Sequence, residues 1–224
     1  MNAQIEVIYE DNDILICRKL SGIPVQTAKL GQPDMVSQLK NYRVGRKEKP
    51  EIYVVHRLDQ PVEGVMVFAK NQKAAAALSK QIQQRSVDKY YYAVVEGVPE
   101  PKEGRLENYL LRDGKTNTSK VVAENTKDAK KAVLQYEVLE QSQANRSLVE
   151  IQLETGRHHQ IRVQMAHAGY PLVGDKKYNP KCQSGYFPIG LCSVKLAFSH
   201  PTTAKRMEFQ IEPKGLAFSD FLQK

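Results

Sequence analysis

Val55-His56-Arg57-Leu58-Asp59-Gln60-Pro61-Val62-Glu63-Gly64 sets a histidine, an arginine and an aspartate at the end of an apolar, β-branched run, Ile52-Tyr53-Val54-Val55. The run has strand composition, and the Asp-Gln-Pro that follows it is a turn signal. A strand that delivers a carboxylate to a turn, with a guanidinium two residues earlier, can hold an aspartate ionised where water is scarce. Without a cationic partner, burial would neutralise the carboxylate instead. An ionised, partly desolvated Asp59 is a candidate nucleophile. Arg57 and Arg162 are the candidate partners, because a planar guanidinium meets a carboxylate with two prongs. Read by itself, the same stretch is more often an ordinary aspartate turn than a nucleophile's setting.

Working outward, strand residues run from Val65 to Ala69 and from Tyr90 to Val95. Between them, Asn71 to Arg85 combines an Asn N-cap with a run of alanines and reads as a helix. Strand, helix and strand therefore surround the Asp59 turn. In Tyr90-Tyr91-Tyr92 alternate side chains face opposite sides, so Tyr91 shares a face with Lys89 and Ala93. A tyrosine in a polar groove can stack on a base or move a proton through its hydroxyl; on at least one face these rings simply fill core. Near the N-terminus, Ile5, Val7 and Ile14-Leu15-Ile16 flank the acidic turn Glu10-Asp11-Asn12-Asp13 as a hairpin, with a second turn over residues 21–24. Residues 40–50 are basic and are expected as a loop or short helix end. Residues 112–131 are polar and Lys-rich, and are expected as a projecting hairpin. Both are candidate contacts for a polyanionic partner, and residues 40–50 read equally as a solvated connector. Strands are expected over 133–139, 147–153, 191–198 and 206–211, and a second helix from His158 to Ala168, entered through Thr155-Gly156. No repeat or internal linker divides the chain. The expected architecture is α+β: one domain over residues 1–224, on a mixed, mostly antiparallel sheet.

Bulk properties narrow the class. The 224 residues are 41% hydrophobic and 26% charged, ordinary for a globular protein, but 33 basic residues against 25 acidic ones leave a net charge of +8. Such an excess suits a polyphosphate partner. Cys17, Cys182 and Cys192 are odd in number with no C-x-x-C spacing, which argues against a disulfide framework or a thiolate zinc site. They read as free, core-packed thiols of a reducing compartment. The N-terminal MNAQIEVIYEDND lacks the basic and apolar regions of a signal peptide, and no apolar run is long enough for a bilayer. A cytoplasmic location is expected.

Thr155-Gly156-Arg157-His158-His159-Gln160-Ile161-Arg162 concentrates basic and polar groups. Adjacent histidines point apart on a helix, and no glutamate stands at metal-ligand spacing. Anion binding by a helix start together with Arg157 is the better reading. His167 and His200 are read as packing or hydrogen-bonding residues.

Taken in order, IYEDNDILICRK, HRLDQPVEGVMVFAKN, KYYYAVVEG, LETGRHHQIRVQMAHAGYPLVGDKKYN and LCSVKLAFSHP make the chain resemble the RluA-type RNA pseudouridine synthases over nearly its whole length. The resemblance implies the pseudouridine synthase fold with an RNA-binding cleft, and isomerisation of uridine in ribosomal or transfer RNA; a compact stem-loop substrate and a monomeric protein are separate expectations. It also implies no metal or other cofactor, in keeping with the absence of P-loop, dinucleotide and zinc motifs. Asp59 then matches the family's catalytic aspartate, Tyr91 the tyrosine of K-x-Y-x-A, and Arg162 the arginine that pairs with the aspartate. Arg57 matches the residue that fills the place of a flipped base. His56, Lys89, Arg157, His159 and Gln160 complete the set expected to contact RNA. Many family members carry a small N-terminal RNA-binding module, which this chain is expected to lack.

Three places depart from the pattern. Val62-Glu63 stands for a common Thr-Ser, Lys19-Leu20 for Lys-Pro, and His158 and Gln164 for a Thr and a second His. Glu63 matters most, since a new acid four residues after Asp59 could disfavour its ionised form or repel phosphate. Two rivals follow: a catalytically inactive RNA-binding protein of the same fold, and an N-glycosidase, which needs a second carboxylate that only Glu63 or Glu154 could supply.

Overall fold

The computed structural model describes residues 5–29, 31–182 and 188–222. In chain order the elements are β1 (Glu6–Glu10), β2 (Ile14–Lys19), α1 (Met35–Gly45), β3 (Tyr53–Val54), β4 (Glu63–Ala69), α2 (Gln72–Gln83), β5 (Asp88–Glu96), β6 (Glu103–Asp113), β7 (Thr118–Val122), β8 (Lys130–Ser142), β9 (Arg146–Leu153), α3 (Gln160–His167), β10 (Leu191–Ser199), β11 (Arg206–Gln210), a 3-10 turn (Leu216–Phe218) and α4 (Ser219–Leu222). They form two compact units, residues 1–88 with 193–212, and residues 89–192 with 213–224. The class is α+β with mostly antiparallel pairing, as expected. No helix among the described residues is long and apolar enough to cross a membrane. The first four residues of the N-terminal stretch lie outside the described residues.

In the first unit, β2 and β4 are buried at every position. A continuous apolar run is the signature of a strand covered on both faces. β1 and β2 form the expected hairpin, and β2 and β3 both pair antiparallel with β4. β4 starts beside β10 by virtue of Gly64. Its φ is +148°, and a Cβ there would lie 2.4 Å from Ser193 Cβ and 2.6 Å from the Ser193 nitrogen. α2 begins where Asn71 accepts the Ala74 N–H, as the cap predicts. α1 takes up residues 40–45, the helix-end alternative of the reading of residues 40–50. Asp34 caps it by accepting the Ser37 N–H, and the helix runs to Gly45, so only the remainder is a connector. Arg43 is buried in that helix, bound to Glu48 and to the carbonyls of Glu51 and Lys70, and so is no RNA contact.

The second unit is an antiparallel sheet in the order β5-β9-β8-β6-β7. β6 was not expected. Its alternation of Glu103, Arg105 and Glu107 with Gly104, Leu106 and Asn108 has strand periodicity but little strand composition. The hairpin expected over 112–131 is the tip of β6 and β7, with a turn over 114–117. It is docked rather than projecting, since Ser119 is buried and hydrogen-bonded to His158. Under α3, Leu110, Ala132 and Val163 form an apolar cluster joined by Val121 and Tyr178. Buried Gln164 secures the same helix by donating to Asn108 Oδ1 at 2.8 Å and to the Leu106 carbonyl at 3.2 Å. Of the three thiols, Cys17 and Cys192 are buried and Cys182 is half-buried.

Candidate active site

Asp59 lies in the first unit, half-buried, on a turn closed by its own carbonyl accepting the Val62 N–H at 3.0 Å. The end of β2 and the residues after it sew that turn in place. Lys19 donates to the carbonyls of Gln60 (2.9 Å), Val62 (2.7 Å) and Leu20 (3.1 Å). Ser21 donates to the Pro61 carbonyl, and Gly22 exchanges bonds with Gln60 in both directions. With Lys19 fully buried, its ammonium spends its three protons on carbonyls around one turn. That turn is therefore rigid, and rigidity of the supporting shell is what a nucleophile needs.

Burial pulls the Lys19 ammonium down to about 7, while the carboxylates of Asp59 and Glu63 pull it back up. Glu63, buried at the start of β4, therefore has a cation to answer it. The departure at Val62-Glu63 adds a second counter-charge to Lys19 rather than a bare acid beside Asp59. Below pH 7 the ammonium is charged in both the folded and unfolded states, and its burial cost is fully present. Between about 7 and 10.5 the folded state gives up the proton first, so this group makes stability rise with pH across that window. Urea denaturation of wild type and Lys19→Met at pH 6.5 and 9.5 should show an extra rise of up to a few kcal/mol in wild type that the variant lacks. An equal rise in both proteins would remove Lys19 as its source.

Nearby, His56 Nε2 accepts the Val67 N–H at 3.1 Å, which fixes its ring against β4 and leaves Nδ1 as the proton-bearing nitrogen of the neutral form. Arg57 is exposed. This suits a side chain that reaches out to a partner.

Tyr91 and Arg162 lie in the second unit. Tyr91 is buried on β5, opposite Ile151 of β9. Tyr90 lies on the other face, beside Glu103, Arg105, Gln135, Glu137 and Glu150 around a shallow depression of about 500 Å³. Its carboxylates make that face unsuited to phosphate. Arg162, on α3, is buried and paired with Asp175, Nε to Oδ2 at 2.8 Å and Nη2 to Oδ1 at 2.7 Å. The Tyr178 ring covers its guanidinium at 5.3 Å. This pairing takes one edge of the guanidinium, so a bond to Asp175 does not exclude another acceptor at Nη1.

α3 starts later than expected, at Gln160. His158 and His159 sit in the preceding turn, with His159 in the left-handed region at φ 54°. Gln160 is buried with its amide engaged: Oε1 accepts from Thr155 Oγ1 and the Arg157 N–H, and Nε2 donates to the Val133 carbonyl. The Arg157 N–H is thus occupied, and Arg157, expected to bind an anion together with the helix start, has its Nε donating to the Lys131 carbonyl. The two histidine rings stack at 3.8 Å. His159 Nδ1 meets the Tyr178 hydroxyl at 2.8 Å, and His158 holds Ser119 Oγ and Asn117 Oδ1. Lys19, Asp175 and Tyr178 carry no role in the sequence reading. Their only signal was position: CRK before a turn, and GDKKY a dozen residues after Arg162.

A family model described as RNA pseudouridylate synthase matches residues 13–167. The chain belongs to the RNA pseudouridylate synthase family. That span contains Asp59, Tyr91 and Arg162, and this pseudouridylate synthase is an isomerase by family. It is 39% identical over 221 residues to the ribosomal large subunit pseudouridine synthase D of Pseudomonas aeruginosa, covering 92% of this chain and 68% of that one. To the dual-specificity RNA pseudouridine synthase RluA of Vibrio vulnificus it is 38% identical over 205 residues, covering 88% and 78%. The solved structure of human RNA pseudouridylate synthase domain containing 1 shares the synthase's fold with a TM-score of 0.79 at 22% identity, covering 93% of this chain and 83% of that one.

Proposed function

We propose that this synthase converts uridine to pseudouridine in structured ribosomal or transfer RNA, with Asp59 as the nucleophilic or electrostatic partner of the target nucleotide. The observation that carries the reading is the turn itself: a half-buried carboxylate on backbone clamped by Lys19, in a family whose reaction needs such a group. The target uridine leaves the stack at a cost of a few kcal/mol, and exposed Arg57 takes its place. The N1–C1′ bond breaks, the uracil turns, and C5 bonds to C1′. The C5 proton is then lost, with Tyr91 as the base, directly or through water. Arg162, which the resemblance pairs with the catalytic aspartate, keeps one edge of its guanidinium for an anion while Asp175 and Tyr178 hold the other. The names of the Pseudomonas and Vibrio relatives favour ribosomal RNA, with a second RNA class as an alternative.

The test is incubation with ribosomal and transfer RNA carrying tritium at uridine C5. Release of tritium with intact chain length is expected. Release of free uracil would mean an N-glycosidase, and tight binding without release an inactive binder.

A further inference from the structure

Asp175 and Tyr178 hold one edge of the Arg162 guanidinium, yet neither lies on a helix or strand: residues 176–178 are a turn. What fixes that turn comes largely from the β6–β7 tip. The Ser119 N–H on β7 donates to the Tyr178 hydroxyl at 2.7 Å. His159, just before α3, meets the same oxygen through Nδ1 at 2.8 Å and stands edge-on to the tyrosine ring, at an interplanar angle of 85°. One residue earlier, the Lys177 N–H donates to Asp175 Oδ1 at 3.0 Å, and the Lys177 ammonium donates to the Asn117 carbonyl at 2.6 Å. The carboxylate and the ring that hold Arg162 are thus each tied to residues 117–119.

Part of this has a plain structural use. β7 is the last strand of its sheet, so an N–H that faces away from β6 needs another acceptor. Capping Ser119 would not, however, require a guanidinium against the capping ring. The Tyr178 ring lies 5.3 Å from that of Arg162 and packs on the cluster of Leu110, Ala132 and Val163. An aromatic face pinned at its hydroxyl offers a cation one geometry instead of many. A shift of the tip therefore moves the surface on which Arg162 rests. That tip presents Arg112, Lys115 and Lys120 to solvent, where a polyanion would press on it.

We propose that Tyr178 is a positioning residue for Arg162, through which the β6–β7 tip sets where the guanidinium points. The inference rests on the part given to Arg162 in the proposed reaction, and its test is read on Arg162 itself as well as on turnover.

The test follows solvent exchange of the Arg162 Nε–H by NMR on the whole protein, the signal being assigned by its loss in Arg162→Lys. Tyr178→Phe keeps the ring and removes both hydroxyl bonds. It is expected to speed that exchange about fivefold to tenfold, the net worth of one hydrogen bond. Turnover on the tritiated RNA should fall about tenfold with RNA affinity within about twofold of wild type, both measured well below the variant's melting temperature. Lys177→Met, which frees the second tie, should speed the exchange by a smaller factor, and Tyr178→Leu, which also removes the ring, by a larger one. A Tyr178→Phe protein whose melting temperature falls while Arg162 exchange stays within about twofold of wild type would reduce the tyrosine to packing and overturn the link. Faster exchange with undiminished turnover would overturn it as well, since the orientation would be lost at no cost to the reaction. Exchange is read without turnover. A wild type that never forms pseudouridine therefore removes the proposed reaction, whereas an active wild type with Arg162 exchange unmoved in Tyr178→Phe removes only the role of Tyr178.

Discussion

Asp59→Asn should bind the RNA stem-loop within about threefold of wild type and release no tritium, a loss on the order of 10^4-fold or more in turnover. The substitution preserves shape and removes charge. The Asp59 carbonyl still closes its turn on Val62, and the bonds from Lys19, Ser21 and Gly22 go to backbone oxygens or to Gln60, none to the Asp59 side chain. The turn should therefore keep its place while the nucleophile is lost. A secondary effect falls on Lys19. Asp59 is one of the two carboxylates raising its pKa, so the variant should move that titration lower still, leaving Glu63 alone to oppose burial. Turnover within tenfold of wild type would remove Asp59 from the chemistry, and loss of binding in parallel with loss of turnover would mean the carboxylate's role lies in holding RNA.

Asp175→Asn should lower stability by about 3–5 kcal/mol and the melting temperature by about 6–20 °C. The Asp175 side chain is 0% exposed and that of Arg162 is 5% exposed, with two bonds of 2.8 and 2.7 Å between them. Removing the carboxylate leaves a guanidinium desolvated on its Nε–Nη2 edge, and the penalty of that exceeds the strength of the lost bonds. Asp175 also accepts the Lys177 N–H, and the Lys177 ammonium reaches the Asn117 carbonyl, so the β6–β7 tip should loosen as well. The double variant Asp175→Asn with Arg162→Met separates the causes. If an uncompensated charge is responsible, the double variant is more stable than Asp175→Asn alone; a double variant as unstable as the sum of the singles would mean plain loss of packing. Turnover of Asp175→Asn at a temperature where it is folded should still fall, since Arg162 then loses the carboxylate that fixes its Nε–Nη2 edge.

Much of the fold is legible locally. The apolar runs of β2 and β4, the Asn71 cap and the turn at Asp59 each announce themselves within a few residues. α1 was only partly legible because its buried apolar residues, Met35, Val36 and Leu39, all lie in its first half, while the second half is basic and includes Arg43, which is buried too. β6 was missed because its charges alternate without β-branched residues. His158 and His159 were placed on the helix because nothing in their identity predicts the left-handed backbone at His159.

The sequence by itself determined the family, the α+β class, the identity of Asp59, Tyr91 and Arg162 as candidates, and the turn that presents the aspartate. These depend on residue type and short spacing, which the chain states directly. Only the tertiary structure decided how those groups are held: Lys19 reaching 41 and 43 residues along the chain to the Asp59 turn, and Asp175 reaching back 13 to Arg162. A buried charge is stable only through partners that folding brings to it, and periodicity and composition carry no record of which distant carbonyl or carboxylate those partners will be.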